Sequence, residues 1–183
     1  MNNRRIDNSF LDLKIKIRQN NLPQNNVFVL DAFHGEGKIW EEIKKTRADI
    51  KIIGIEKINK KGGNSIYGDN LKLLDIMDLS KYNVIDLDCY GIPFKQLEKI
   101  FKNKTIQKKT IIFYTFIQSI YGCVDKKLLE CYGINDFIYN KCPSICFKKG
   151  RDAFYYYLNL NKINEVNEIT KQNKTYGCFR IQG

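Results

Sequence analysis

Histidine is almost missing from this chain of 183 residues; His34 is the only one. With a single imidazole, and no Cys-x-x-Cys pair among six cysteines, the chain lacks the paired spacing of ordinary zinc sites. Cys142 and Cys146 stand at the loose edge of metal-ligand spacing, and no metal is assigned. Also lacking are an apolar run long enough to cross a membrane, an internal repeat and a secretory leader. A cytoplasmic protein with reduced thiols and no membrane association is therefore expected. Acids are scarce: 20 Asp and Glu face 31 Lys and Arg, for a net charge of +11. That excess suits a polyanionic partner, because lysines and arginines that neutralise phosphates release counterions, and nucleic acid is the natural candidate. A genome biased toward Lys, Asn and Ile would produce the same excess. The basic clusters are Arg4-Arg5, Lys57 to Lys61, Lys102 to Lys109 and Lys148 to Arg151.

What is present begins with a strand, a glycine turn and a helix. Val27-Phe28-Val29-Leu30 is an unbroken apolar run of the kind buried on both faces of a parallel sheet, and it opens into Asp31-Ala32-Phe33-His34-Gly35-Glu36-Gly37. Gly35 and Gly37 allow a tight turn and a close approach to a ligand, and a helix starts at Lys38. A second run from Ile50 to Ile55 ends in Glu56, roughly 20 residues beyond the glycines, where nucleotide-binding α/β folds place an acid for ribose hydroxyls. The third glycine of a dinucleotide fingerprint is replaced by Trp40, which argues against NAD or FAD. S-adenosylmethionine carries no phosphate and needs only the turn and the ribose acid. Ser65-Ile66-Tyr67 reads as a short strand running into Gly68-Asp69-Asn70, a polar loop that can set a carboxylate beside an adenine amino group. His34 is read as filling a loop position, and Glu36 as facing either the cofactor's amino group or solvent.

The second informative segment is Val84-Ile85-Asp86-Leu87-Asp88-Cys89-Tyr90-Gly91-Ile92-Pro93-Phe94. An apolar strand here ends in two carboxylates, an aromatic ring and a glycine. Asp86 and Asp88 are two apart, so on an extended strand they point the same way, one as acceptor and one as orienter.

Taken in order, the Asp31 to Gly37 turn, Glu56, Gly68-Asp69 and Asp86 to Gly91 resemble the successive motifs of class I S-adenosylmethionine-dependent methyltransferases over most of the chain. Ile85 to Phe94 is most similar to the Asp-Leu-Asp-Pro-Phe/Tyr-Gly-x-Pro segment of tRNA guanine-N2 dimethyltransferases. It is more loosely similar to the Asp-Pro-Pro-Tyr motif of enzymes that methylate the adenine amine. The resemblance implies S-adenosylmethionine held by Asp31, Phe33, Gly35, Glu36, Gly37, Glu56, Asp69 and Asn70. It implies methyl transfer to an exocyclic amine of a base, in RNA or tRNA before DNA.

Such an amine is a poor nucleophile and has to be held in line with the methyl group. Asp88 is assigned as the acceptor of its hydrogen bonds, Tyr90 as a stacking platform for an extruded base, and Asp86 as the orienting acid. Gly91 and Pro93 are assigned to the substrate. Cys89 stands where both families carry proline, and it suggests a pyrimidine C5 methyltransferase with a cysteine nucleophile as a lesser alternative. A catalytically silent module that binds RNA or a partner is another. The tRNA enzymes carry a large further domain, so a partner subunit for target recognition is considered.

The remaining pattern predicts one domain over 1–183, a Rossmann-like α/β fold with a seven-stranded, mostly parallel sheet and a C-terminal antiparallel hairpin. Phe10 to Ile17 fits a helix or an edge strand, and helix is preferred. Helices are expected at Phe94 to Phe101 and Lys126 to Tyr132, and a strand at Thr110 to Phe116. The closing pair is predicted as Ala153 to Leu160 and Lys174 to Ile181, with Asn161 to Asn173 as their loop.

Overall fold

The computed structural model describes residues 10–57, 65–118 and 124–182. Arg4, Arg5, the basic segment 58–61 and Cys123 lie outside the described residues. Helix α1 (Leu11–Asn21) leads into β1 (Val27–Asp31), α2 (Lys38–Lys44), β2 (Ile50–Glu56) and β3 (Ser65–Tyr67). Then follow α3 (Asn70–Ile76), β4 (Val84–Leu87), α4 (Phe94–Lys102) and β5 (Ile111–Ile117). Four helices, α5 (Lys126–Cys131), α6 (Asp136–Lys141), α7 (Pro143–Lys148) and α8 (Gly150–Leu160), precede β6 (Asn167–Lys171) and β7 (Lys174–Arg180).

One seven-stranded sheet has the order β3-β2-β1-β4-β5-β7-β6. Strands β1 to β5 run parallel, β7 pairs antiparallel with β5, and β6 closes antiparallel on β7. The central strands read as continuous apolar runs because both faces are covered: every residue of β4 and β5 is buried. Alternation sorts their side chains. Ile111 and Phe113 join Trp40 and Ile43 of α2 on one face, while Ile112, Tyr114 and Phe116 join Leu97 of α4 and Phe154 of α8 on the other. Parallel register aligns the strand ends: Asp31 lies opposite Gly54 on one side and Asp86 on the other, which gathers the carboxylates at one edge.

Three parts of the expected architecture are corrected. The segment from Ala153 to Leu160 is a helix, not a strand. Its aromatic residues favour a sheet, but Gly150, Ala153, Phe154, Tyr157 and Leu158 are the ones buried, a helical stripe that packs on the sheet. The strand partner of β7 is β6, inside the stretch expected to be a loop. It is a polar edge strand with only Ile169 partly covered, so no alternation of apolar residues marks it. Asp69-Asn70, also expected in a loop, begins α3.

Candidate active site

The carboxylates at the end of β4 are met by two basic residues of α1. Asp86 receives Arg18 Nε at 2.7 Å and Nη2 at 2.6 Å, and the indole N–H of Trp40 donates to it at 2.8 Å. Arg18 and Asp86 side chains are each 1% exposed. Burial works against the Arg18 charge, yet Asp86 beside it holds the guanidinium above its ordinary range. Burial pushes the Asp86 carboxyl up against the pull of Arg18. One turn earlier, Lys14 Nζ donates to Asp88 Oδ2 at 2.8 Å, and the Thr115 hydroxyl donates to Asp88 Oδ1. The match is geometric. Four helical residues rise about 6 Å and two strand residues about 6.6 Å, so Lys14 and Arg18 meet Asp88 and Asp86 as two rungs. The acids share a face, as their spacing requires, and the basic partners hold them there.

Across from these rungs lies the glycine turn. Asp31 accepts the Phe33 N–H at 3.1 Å and lies 3.1 Å from His34 Nδ1. Pairing with Asp31 raises the His34 pKa, and partial burial opposes it. The imidazole is packed rather than loosely placed: a Cβ added to Gly54 would come within 2.4 Å of His34 Cγ, and one on Gly37 within 2.9 Å of Cε1. Gly35 and Gly37 have φ of +57° and +70°, so the turn needs residues without a Cβ penalty. The Gly35 N–H donates to Glu56 at the end of β2, and the Ala32 N–H to the Asp86 carbonyl at 2.9 Å, which ties the turn to both neighbouring strands.

Two neighbouring cavities open at this edge. The first, about 210 Å³, is bounded by Asp31, Phe33, Gly35, Glu36 and Gly37 on one side and by Lys14, Asp88, Cys89 and Tyr90 on the other. The second, about 620 Å³, shares Phe33, Cys89 and Tyr90 and continues past Gly91 and Gln96. Tyr90 stands on the rim of both and is 81% exposed. Cys89 is buried with Sγ 3.4 Å from the Thr115 carbonyl, and burial pushes its thiol far above the ordinary range.

Five assigned residues border neither cavity. Asp86 is sealed behind its Arg18 rung. Glu56 accepts the Gly35 N–H through Oε1. Asp69 is the N-cap of α3, accepting from the Leu71 and Lys72 N–H groups through Oδ1. The Asn70 amide donates to the Ala32 carbonyl at 3.0 Å, and Pro93 begins α4. The sequence reading missed Lys14, Arg18, Thr115 and the indole contact of Trp40. The i, i+4 spacing of Lys14 and Arg18, matched to two acids two apart, was the available signal. Among the described residues, no group of three or more His, Cys, Asp or Glu side chains could hold a metal ion, and no helix is long and apolar enough to cross a membrane.

No protein-family model and no curated protein matches this sequence. Solved structures do. A Staphylococcus aureus protein provisionally described as a caffeoyl-CoA O-methyltransferase is similar at a TM-score of 0.55 and 15% identity, over 96% of this chain and 84% of that one. The plantazolicin methyltransferase BpumL, in complex with a triazolic desmethylPZN analog and SAH, is similar at 0.55 and 15%, over 95% of this chain and 84% of that one. The precorrin-6y C5,15-methyltransferase of Geobacter metallireducens GS-15 follows at 0.50 and 11%, over 94% and 87%. The chain therefore has the Rossmann-like α/β fold of class I methyltransferases, with a mostly parallel seven-stranded sheet closed by an antiparallel pair.

Proposed function

We propose that this chain is an S-adenosylmethionine-dependent methyltransferase acting on an exocyclic amine of a base in nucleic acid, RNA before DNA. The observation that carries the reading is Asp88, a carboxylate facing a cavity whose opposite wall is the glycine turn and whose rim carries the exposed ring of Tyr90.

The residues fit the cofactor. Gly35 and Gly37 leave a wall without side chains, and Asp31, Glu36 and Lys38 offer both signs of charge to an amino-acid end. Glu56, half-buried at the end of β2, holds the Gly35 N–H through Oε1 and has its second carboxylate oxygen for ribose hydroxyls. When bound, the cofactor supplies an electrophilic methyl group on a sulfonium. Asp88 accepts hydrogen bonds from the amine and turns its lone pair toward that methyl. Tyr90 stacks on the base, and Gly91, where a Cβ would meet nothing within 4 Å, leaves room for it. Asp86 acts at one remove by fixing the turn.

The rival chemistry through Cys89 is disfavoured by its environment, since a nucleophilic cysteine needs a lowered pKa and this one is raised. Methylation of a small molecule or peptide is the second reading, drawn from what the similar proteins are named for. A partner subunit that selects the target belongs to the first reading.

Transfer of labelled methyl to tRNA and to DNA tests it. Asp88→Ala is expected to lower turnover by about 100-fold or more with cofactor affinity unchanged. Unchanged turnover of Asp88→Ala on a proven substrate contradicts the role of Asp88. Acceptance by small molecules alone contradicts the choice of nucleic acid.

A further inference from the structure

The two rungs that join α1 to β4 differ in one respect. Arg18 and Asp86 are sealed, each side chain 1% exposed, and border no cavity. Lys14 and Asp88, at 11% and 15%, both border the first cavity. A pair needed only to anchor α1 would be served by the inner rung, which already has three hydrogen bonds. The outer rung presents a cation and a carboxylate side by side to whatever enters.

Each partner has capacity beyond the other. An ammonium carries three donors and one goes to Asp88; a carboxylate accepts about four hydrogen bonds, and Lys14 and Thr115 take one each. The ammonium is also steadied over the Tyr176 ring, 5.7 Å from its centroid.

We propose that Lys14 is a substrate-contacting residue, and that with Asp88 it reads an amino group beside an unprotonated ring nitrogen. Asp88 accepts from the amine and Lys14 donates to the ring nitrogen. Adenine and cytosine present that pair on their Watson–Crick edges, whereas guanine has a protonated nitrogen beside its amine there and offers its unprotonated N3 only on the sugar edge, crowded by the ribose. The acceptor is therefore an adenine or cytosine amine rather than the guanine amine. The inference rests on the methyl-transfer reading above and deepens it.

The contact also assists the chemistry. A donor on the ring nitrogen fixes the base in plane, so the amine is presented to Asp88 in one orientation. The amine's lone pair forms the new N–C bond, the S–C pair returns to sulfur, and one N–H proton passes to Asp88 and then to water.

The test uses labelled methyl transfer to single-stranded oligonucleotides carrying one amino base each: adenine, cytosine or guanine. The better of adenine and cytosine is then compared with its deaza analogue, which keeps the amine and replaces the adjacent ring nitrogen by C–H. Wild type is expected to lose at least tenfold in kcat/KM on the analogue. Lys14→Met is expected to be slow on the parent base and to lose no more than twofold further on the analogue, with its cofactor affinity by calorimetry within twofold of wild type. Equal loss on the analogue in wild type and Lys14→Met overturns the contact, as does transfer to guanine alone; the methyl-transfer reading survives both. Absence of a deaza effect in wild type overturns it without recourse to any variant. Transfer by wild type to none of the three bases overturns the methyl-transfer reading itself, and this inference with it.

Discussion

Only one histidine titrates in this protein, and its ring is held between Gly37, Gly54 and the Asp31 carboxylate. The pairing raises its pKa above the ordinary 6.5. A group raised by folding stabilises the folded state while protonated, so its contribution is full below the unfolded value and is lost as pH rises through the folded value. The single histidine C2–H resonance should therefore titrate with a midpoint above 6.5, and stability should fall across that midpoint in wild type but not in His34→Gln; a midpoint at or below 6.5 contradicts the pairing. The packing makes a separate claim. Gly54→Ala puts a methyl where His34 lies and should cost about 1–3 kcal/mol in urea unfolding. In a His34→Ala background that cost should fall below about 1 kcal/mol, because the clash has gone. The Arg18–Asp86 pair is a third case. Removing one partner leaves a buried charge, so Arg18→Met or Asp86→Leu alone should cost about 3–5 kcal/mol, and the double substitution much less than their sum.

At the scale of elements, α1 is unusual in how it is held. Of its eleven residues only Ile17 and Arg18 are buried, so the helix docks through two ion-paired rungs rather than an apolar stripe. Hydrogen exchange should show this directly: Asp86→Leu ought to strip protection from Leu11–Asn21 while leaving β1 and β5 protected. Loss spread evenly over the sheet would contradict it. This dependence explains what could be read beforehand and what could not. Strands β1, β2, β4 and β5 are continuous apolar runs whose burial on two faces leaves little choice of conformation. The glycine turn was legible because positive φ at Gly35 and Gly37 demands those residues. Helix α8 was not, because Tyr155, Tyr156 and Tyr157 favour a strand locally and only packing on the sheet reveals the helical stripe. Strand β6 carries almost no apolar signal at all. In the site, the two acids were visible as a spacing, but their partners arrive from a helix more than sixty residues earlier, and the only trace of that pairing is the i, i+4 spacing of Lys14 and Arg18, which nothing local ties to the acids.

For the whole molecule, the charge of +11 matters only if it is spent on a partner. The basic clusters are not all on one side. Lys102–Lys109 lies between α4 and the start of β5, at the edge of the sheet opposite the cavities, while Lys148 and Arg151 border a third cavity near Phe116 and Thr175 at the same edge as the site. Binding to tRNA should weaken linearly in log K against log salt, with a slope of about −0.7 to −0.9 per phosphate contact. Charge reversal at Lys148 and Arg151 should flatten that slope, and a salt-insensitive complex would contradict a nucleic-acid substrate. All of this presupposes the cofactor. The most direct measurement is calorimetric titration of S-adenosylmethionine into the full chain, with wild type beside Gly37→Trp and Glu56→Ala. Micromolar binding at one site, abolished by Gly37→Trp and weakened at least tenfold by Glu56→Ala, is the expected result. No binding by wild type, or equal affinity in all three proteins, would contradict a cofactor site at the glycine turn and with it the proposed methyl transfer.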